Sequence, residues 1–200
     1  MSTEATFLER VFSRAPLARN TGIRDFVFHH WTVPGRPTAE AVGILPVPGV
    51  DADRFLARVM DVNHYVGNIA HVVESRAVAD PAYVPPAQVR FYQRISIPLL
   101  GEVHQENVLT LSERDGIRIG SWFLLEPATA ALSPKLAIRS QYNDGAWLVG
   151  KDVVGYALSS APRREDVGLL KWKALTAGAD VAASKVIRDN ITHMARWASR

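Results

Sequence analysis

Three groupings in the sequence bring side chains of catalytic or metal-binding type close together. Glu102, His104 and Glu106 alternate, so on a strand all three project from one face, where they could bind a metal or share a proton. That face is opposite the apolar phase of Val103 and Leu109. The expectation is a solvated outer face with Arg90 and Arg94 of a neighbouring strand as ion-pair partners. The run Gly145-Ala146-Trp147-Leu148-Val149-Gly150-Lys151-Asp152 has phosphate-loop spacing up to its last residue. There Asp152 replaces the hydroxyl that would ligate magnesium, and three bulky residues occupy the loop, so the run reads as coincidence. His29-His30 has no second pair of ligands at useful spacing and reads as loop.

Isolated candidates for acid–base work are His64, beside Asn63 and Tyr65, and His71 at the start of the next strand. Both can point toward the end of a cavity, where a histidine near its working pKa acts as acid or base on an enol. Neither has a partner carboxylate visible in the sequence, and a packed or surface position stays open for both. Tyr142 is in phase with Leu136 and Ile138; its buried hydroxyl needs a partner, a ligand carbonyl or a backbone carbonyl. Trp122 is in phase with Arg118 and Leu124, and a bulge would make it a cavity wall.

Stepping patterns of two and of three to four residues place these groups on elements. Ala41 to Val47 reads as a strand, Pro48-Gly49 as a turn, and Asp51 or Asp53 as the cap of a helix carrying Phe55, Leu56, Val59 and Met60. A second short helical turn is expected over Asn63 to Asn68. Period-two runs follow at His71 to Val78, Val89 to Leu99, Glu102 to Ser112, Ile117 to Glu126 and Leu136 to Tyr142. Pro85-Pro86, Leu100-Gly101, Arg114-Asp115-Gly116, Ser133-Pro134 and Asn143-Asp144-Gly145 separate them, which predicts an antiparallel meander. Val153-Val154-Gly155-Tyr156 is read as a last strand. From Leu169 to Trp197 one apolar stripe predicts a long helix, with Gly178 as a kink.

Alternation also predicts an inner face. It carries Val89, Phe91, Ile95 and Ile97 with Gln93 among them, then Val103, Leu109 and Leu111 interrupted by Gln105 and Asn107. By the same count Ser121 sits among Ile117, Ile119 and Phe123, and His71 and Ser75 beside Val73. Polar groups in a dry core cost a few kcal/mol each unless bonded. Such a stripe suits a cavity holding water or a partly polar ligand, and local satisfaction between strands is the alternative. The expected ligand-binding set is His64, His71, Phe91, Gln93, Gln105, Asn107, Ser121, Phe123 and Tyr142, with no catalytic or metal residue and no cofactor.

The order strand, two short helices, curled antiparallel meander and long C-terminal helix resembles the START-like superfamily, also called SRPBCC, of polyketide cyclase/dehydrase and lipid-transport proteins. The resemblance covers about Glu40 to Arg200. It is carried by the opening Ile44-Leu45-Pro46-Val47-Pro48 to Met60, the passage Asp61-Val62-Asn63-His64-Tyr65 to Ser75, the hairpin Ser112-Glu113-Arg114-Asp115-Gly116, the segment Gly120-Ser121-Trp122 and the terminal helix. It implies an α+β helix-grip fold, a curved antiparallel β-sheet wrapped around a long C-terminal α-helix with two short helices after the first strand. It also implies an elongated apolar cavity for lipids, sterols, quinones, polyketides or plant metabolites. Residues 1–37 then form an N-terminal extension packed on the domain, and residues 38–200 the ligand-binding domain.

Composition agrees with such a container. The chain has 200 residues, 48% hydrophobic and 22% charged, enough for one core of ordinary size. With no cysteine, disulfides, thiolate catalysis and cysteine-ligated metals are excluded. A net charge of +3 is short of a nucleic-acid binder. Residues 163–200 hold eight basic and four acidic residues, a helix's polar face or a docking surface for an acidic carrier protein or anionic membrane. Charges interrupt the first 19 residues, so no signal peptide is expected there, and no apolar run spans a bilayer. The reading is a cytoplasmic carrier of a hydrophobic small molecule, without nucleic acid or stable membrane insertion and with a homodimer left open. The alternatives are an aromatase/cyclase-like enzyme using His64 and Tyr142, and a basic module that docks on a partner.

Overall fold

The structure is a computed structural model that describes residues 3–15, 17, 22–97, 100–125, 137–177 and 179–200. Eight strands form one antiparallel sheet: β1 (Val27–Trp31), β2 (Glu40–Pro46), β3 (Val72–Ala77), β4 (Gln88–Ile97), β5 (Gly101–Arg114), β6 (Ile117–Leu124), β7 (Ile138–Gly150) and β8 (Val153–Pro162). Their order is β1-β2-β8-β7-β6-β5-β4-β3, with a short parallel contact between β5 and β7 at Val103 and Ile138. The helices are α1 (Thr3–Arg14), α2 (Ala52–Met60), α3 (Arg164–Val167), α4 (Leu169–Ala177) and α5 (Ala179–Ala198). A 3-10 turn at Val62–His64 follows α2. This is the α+β helix-grip arrangement, with a curved antiparallel sheet gripping the C-terminal helix.

Local chemistry sets the connections. The carboxylate of Asp51 accepts from the Arg54 amide at 3.0 Å and starts α2, which buries Phe55, Leu56 and Val59 against the sheet. The β5–β6 hairpin turns on Asp115 and Gly116, both at positive φ, 52° and 74°. The turn expected at Asn143-Asp144-Gly145 does not form; β7 runs straight through it and turns only at Lys151-Asp152. Each of the three residues has a use inside the strand. The Asn143 amide bonds Asn107 on one face, Asp144 pairs with Arg36 at 2.7 Å on the other, and Gly145 leaves room for the Trp122 indole. The expected C-terminal helix is divided into α4 and α5; Gly178 lies outside the described residues.

Both faces of the sheet are covered. On the concave face α2 and α5 bury Phe55, Val59, Trp147, Ile187, Ile191 and Met194. On the convex face α1 inserts Phe7 and Val11 among Ile44, Ile119 and Leu148. There Glu40, fully buried, takes a bidentate pair from Arg10 at 2.8 and 2.6 Å and a bond from the Trp31 indole N–H at 2.8 Å. Burial alone would raise the Glu40 pKa, but these bonds and Arg36 outweigh it and hold the carboxyl below its ordinary range.

Candidate functional site

Cross-strand pairing fixes what faces the concave side. Gln93 is opposite Gln105, Phe91 opposite Asn107 and Leu109 opposite Trp122. Trp122 lies opposite Gly145, and β8 contributes Tyr156, Leu158 and Ser160 through the next pairing. Between this surface and the N-terminal half of α5 lies a cavity of about 280 Å³. Its apolar wall includes Val72, Ile95, Trp122, Leu158 and Ile187. The α5 residues reaching it, Ala183, Val186, Ile187 and Asn190, have the spacing of one helical face.

A polar ladder crosses the apolar wall. The Ser140 hydroxyl donates to Gln105 Oε1 at 3.2 Å, and Gln105 Nε2 donates to Gln93 Oε1 at 2.9 Å. Asn143 Nδ2 donates to Asn107 Oδ1 at 3.0 Å, while Asn107 Nδ2 and the Ser75 hydroxyl are buried without a hydrogen-bond partner. Asn190 Oδ1 accepts from the Ala70 amide at 3.2 Å, and the Asn190 side chain bonds the Tyr156 hydroxyl. Burial pushes that hydroxyl above the ordinary phenol range in spite of the Asn190 bond, so it is neutral.

Of the sequence-predicted residues, Gln93, Gln105 and His71 line the cavity. His71 is at the mouth, exposed and at positive φ (66°), with its carbonyl accepting from the Ser96 amide. Asn107 is one layer back, behind Asn143. Phe91 is on the same face but in the packed core, edge-on to Tyr65 with ring centroids 6.0 Å apart.

Four placements differ from expectation. Ser121 and Phe123 are on the convex face, opposite Thr110 and Val108. The apolar phase of Ile117 and Ile119 is packed against α1 and does not mark the inner side. Trp122 therefore reaches the cavity without any bulge in β6. Tyr142 is also convex, because the β7 register slips between Ser140 and Tyr142: Ser140 keeps the inward phase and Tyr142 leaves it. Its ring lies under the Arg36 guanidinium, 4.5 Å from ring centroid to Cζ, and its hydroxyl meets Thr38 Oγ1 at 2.7 Å. His64 is 70% exposed and pairs with Asp61 at 2.7 Å, whereas Tyr65 turns inward and donates to the Val59 carbonyl.

The Glu102, His104, Glu106 face is less solvated than expected: His104 and Glu106 are buried. Arg90 bridges Glu106 and Asp80, and Arg94 pairs with Glu102 at 2.8 Å. His104 Nδ1 bonds the Tyr92 hydroxyl at 2.5 Å, and burial, then Arg94, lowers its pKa. No group of three or more potential metal ligands occurs among the described residues.

Ser140, Asn143 and Asn190 escaped the sequence reading. Asn190 was detectable: it is polar on the apolar stripe between Ile187 and Ile191. Ser140 shares the phase of Leu136 and Ile138, and it is the bulge taking Tyr142 out of that phase that leaves no sequence mark.

The fold is START-like. A STAR-related lipid transfer protein fragment from Xanthomonas axonopodis superposes with a TM-score of 0.69 at 15% identity, covering 89% of this chain and 96% of that one. Human STARD10 gives 0.68 at 13% identity, covering 99% and 80%. The di-domain ARO/CYC StfQ from the steffimycin biosynthetic pathway gives 0.50 at 15% identity, covering 80% of this chain and 48% of that one. No protein-family model matches the sequence, and no curated protein does. No described helix is long and apolar enough to cross a membrane.

Proposed function

We propose that the protein binds one hydrophobic small molecule, lipid-, quinone- or polyketide-like, between the concave sheet face and α5. The observation that carries this reading is the cavity itself, an apolar chamber of about 280 Å³ whose wall also carries the hydrogen-bonding side chains of Gln93, Gln105, Ser140, Asn143 and Asn190. Its volume is just below the roughly 300–1,000 Å³ of small-molecule sites, which favours a compact ligand. The lipid-transfer name of the Xanthomonas axonopodis fragment described above agrees with it. The cyclase alternative has less support, since His64 and Tyr142, the residues it relies on, do not reach the chamber.

The test is uptake of Nile red, a neutral apolar dye. Wild-type protein should bind it saturably at one per chain with a blue-shifted emission. Leu158→Trp, which fills the chamber from β8, should lose the signal while retaining its circular dichroism spectrum. Equal uptake by a folded Leu158→Trp would place the dye elsewhere and overturn the proposal.

A further inference from the structure

We infer that the chamber selects an uncharged ligand whose apolar body carries a hydrogen-bond-accepting oxygen, and that it discriminates against the carboxylate or phosphate of an otherwise similar molecule. This deepens the container reading and rests on it.

The first ground is charge. Among the described lining residues none is Asp, Glu, Lys or Arg. The ionisable ones are His71, exposed at the mouth, and Tyr156, whose hydroxyl is held neutral by burial. An anion entering such a space loses its hydration shell and meets no countercharge, which costs far more than placing a neutral oxygen there. The arginines that could pair with an anion are engaged on the convex face. Arg10 and Arg36 hold Glu40, Arg90 holds Glu106, and Arg139 holds Asp166 at 3.1 Å.

The second ground is the sense of the hydrogen bonds. The ladder from Ser140 through Gln105 uses the Gln93 side-chain carbonyl as its last acceptor, so the Gln93 Nε2 hydrogens end it as donors facing the chamber. Gln93 is opposite Ser75 on β3 and diagonal to Asn107 on β5, and the Ser75 hydroxyl and Asn107 Nδ2 are both buried without a hydrogen-bond partner. Of these three donor-bearing side chains on one patch of the concave face, Gln93 lines the chamber. A ketone, ester, ether or alcohol oxygen satisfies its donors; a pure hydrocarbon leaves them unpaired.

The experiment is displacement of Nile red from wild-type protein at pH 8 by 2-nonanone and by nonanoate, two chains of equal length. The ketone is expected to compete at least about tenfold more strongly than the carboxylate. In Gln93→Leu the ketone should lose about two- to tenfold, the worth of one hydrogen bond, while 1-nonene, which has no oxygen, should not weaken. Nonanoate competing as well as 2-nonanone would overturn the inference. So would a folded Gln93→Leu whose ketone and alkene affinities fall together. The wild-type comparison stands alone if that variant does not fold, and failure of Nile red to bind at all would instead remove the container reading.

Discussion

Replacing Gly43 by alanine should loosen α5 from the sheet. Gly43 is on β2 opposite Tyr156, at the point where α5 crosses the concave face. A Cβ built there lies 2.3 Å from Ile187 Cγ2 and 2.6 Å from Phe26 Cε2. Carbon atoms pack at about 3.5–4.0 Å, so the helix or its isoleucine must give way by about 1 Å. Overpacking of this kind costs about 1–3 kcal/mol, offset by the roughly 0.5–1 kcal/mol that alanine gains over glycine in a strand. The net loss of about 1–2 kcal/mol corresponds to about 2–8 °C in Tm for a chain of this size. Because Ile187 also lines the chamber, Nile red affinity should fall in the same variant. Differential scanning calorimetry and dye titration read the two effects. A Tm within about 1 °C of wild type with unchanged dye affinity would refute the claim that α5 is seated on Gly43.

Other perturbations separate the two faces of the sheet. Glu40→Ala leaves Arg10, Arg36 and the Trp31 N–H without their common acceptor, and should cost about 3–5 kcal/mol in urea denaturation. Glu40 and Asp166 are both held below the ordinary carboxylate range: burial opposes this, and Arg10 and Trp31, or Arg139, outweigh it. Their stabilisation is therefore complete above the unfolded pKa of about 4 and disappears as pH falls through the folded values; urea midpoints between pH 7 and 3 should fall, and less steeply in Glu40→Gln. Tyr142→Phe and His64→Ala should leave Nile red binding unchanged, because both side chains are outside the chamber; a large loss in either would reassign the site. Gly145→Ala puts a Cβ 2.0 Å from the Trp122 ring, so it should shift tryptophan emission and weaken dye binding.

Where the two faces of an element differ in polarity, the sequence displayed its inward residues. α2 with its Asp51 cap, the Asp115-Gly116 hairpin and the alternation of β4 and β5 were all readable, and they led correctly to Gln93 and Gln105 as inward-facing. Alternation lost its meaning in β6, where α1 covers the convex face and Ile119 is as buried as Trp122. It failed again in β7, where one bulge turns Tyr142 out of the phase that Ser140 keeps. Asn143-Asp144-Gly145 has hairpin chemistry but is stretched into a strand by Asn107, Arg36 and Trp122, partners 23 to 108 positions distant that no local pattern announces. Asn190, a single polar residue on an apolar helical stripe, was the cavity residue most open to recognition.

The central claim is that the chamber holds a hydrophobic molecule, and native mass spectrometry of the protein purified from its own host tests it most directly. The account predicts a stoichiometric adduct, released by denaturing extraction as a neutral, oxygen-bearing apolar compound and absent from Leu158→Trp prepared in parallel. An adduct carried equally by Leu158→Trp would contradict it.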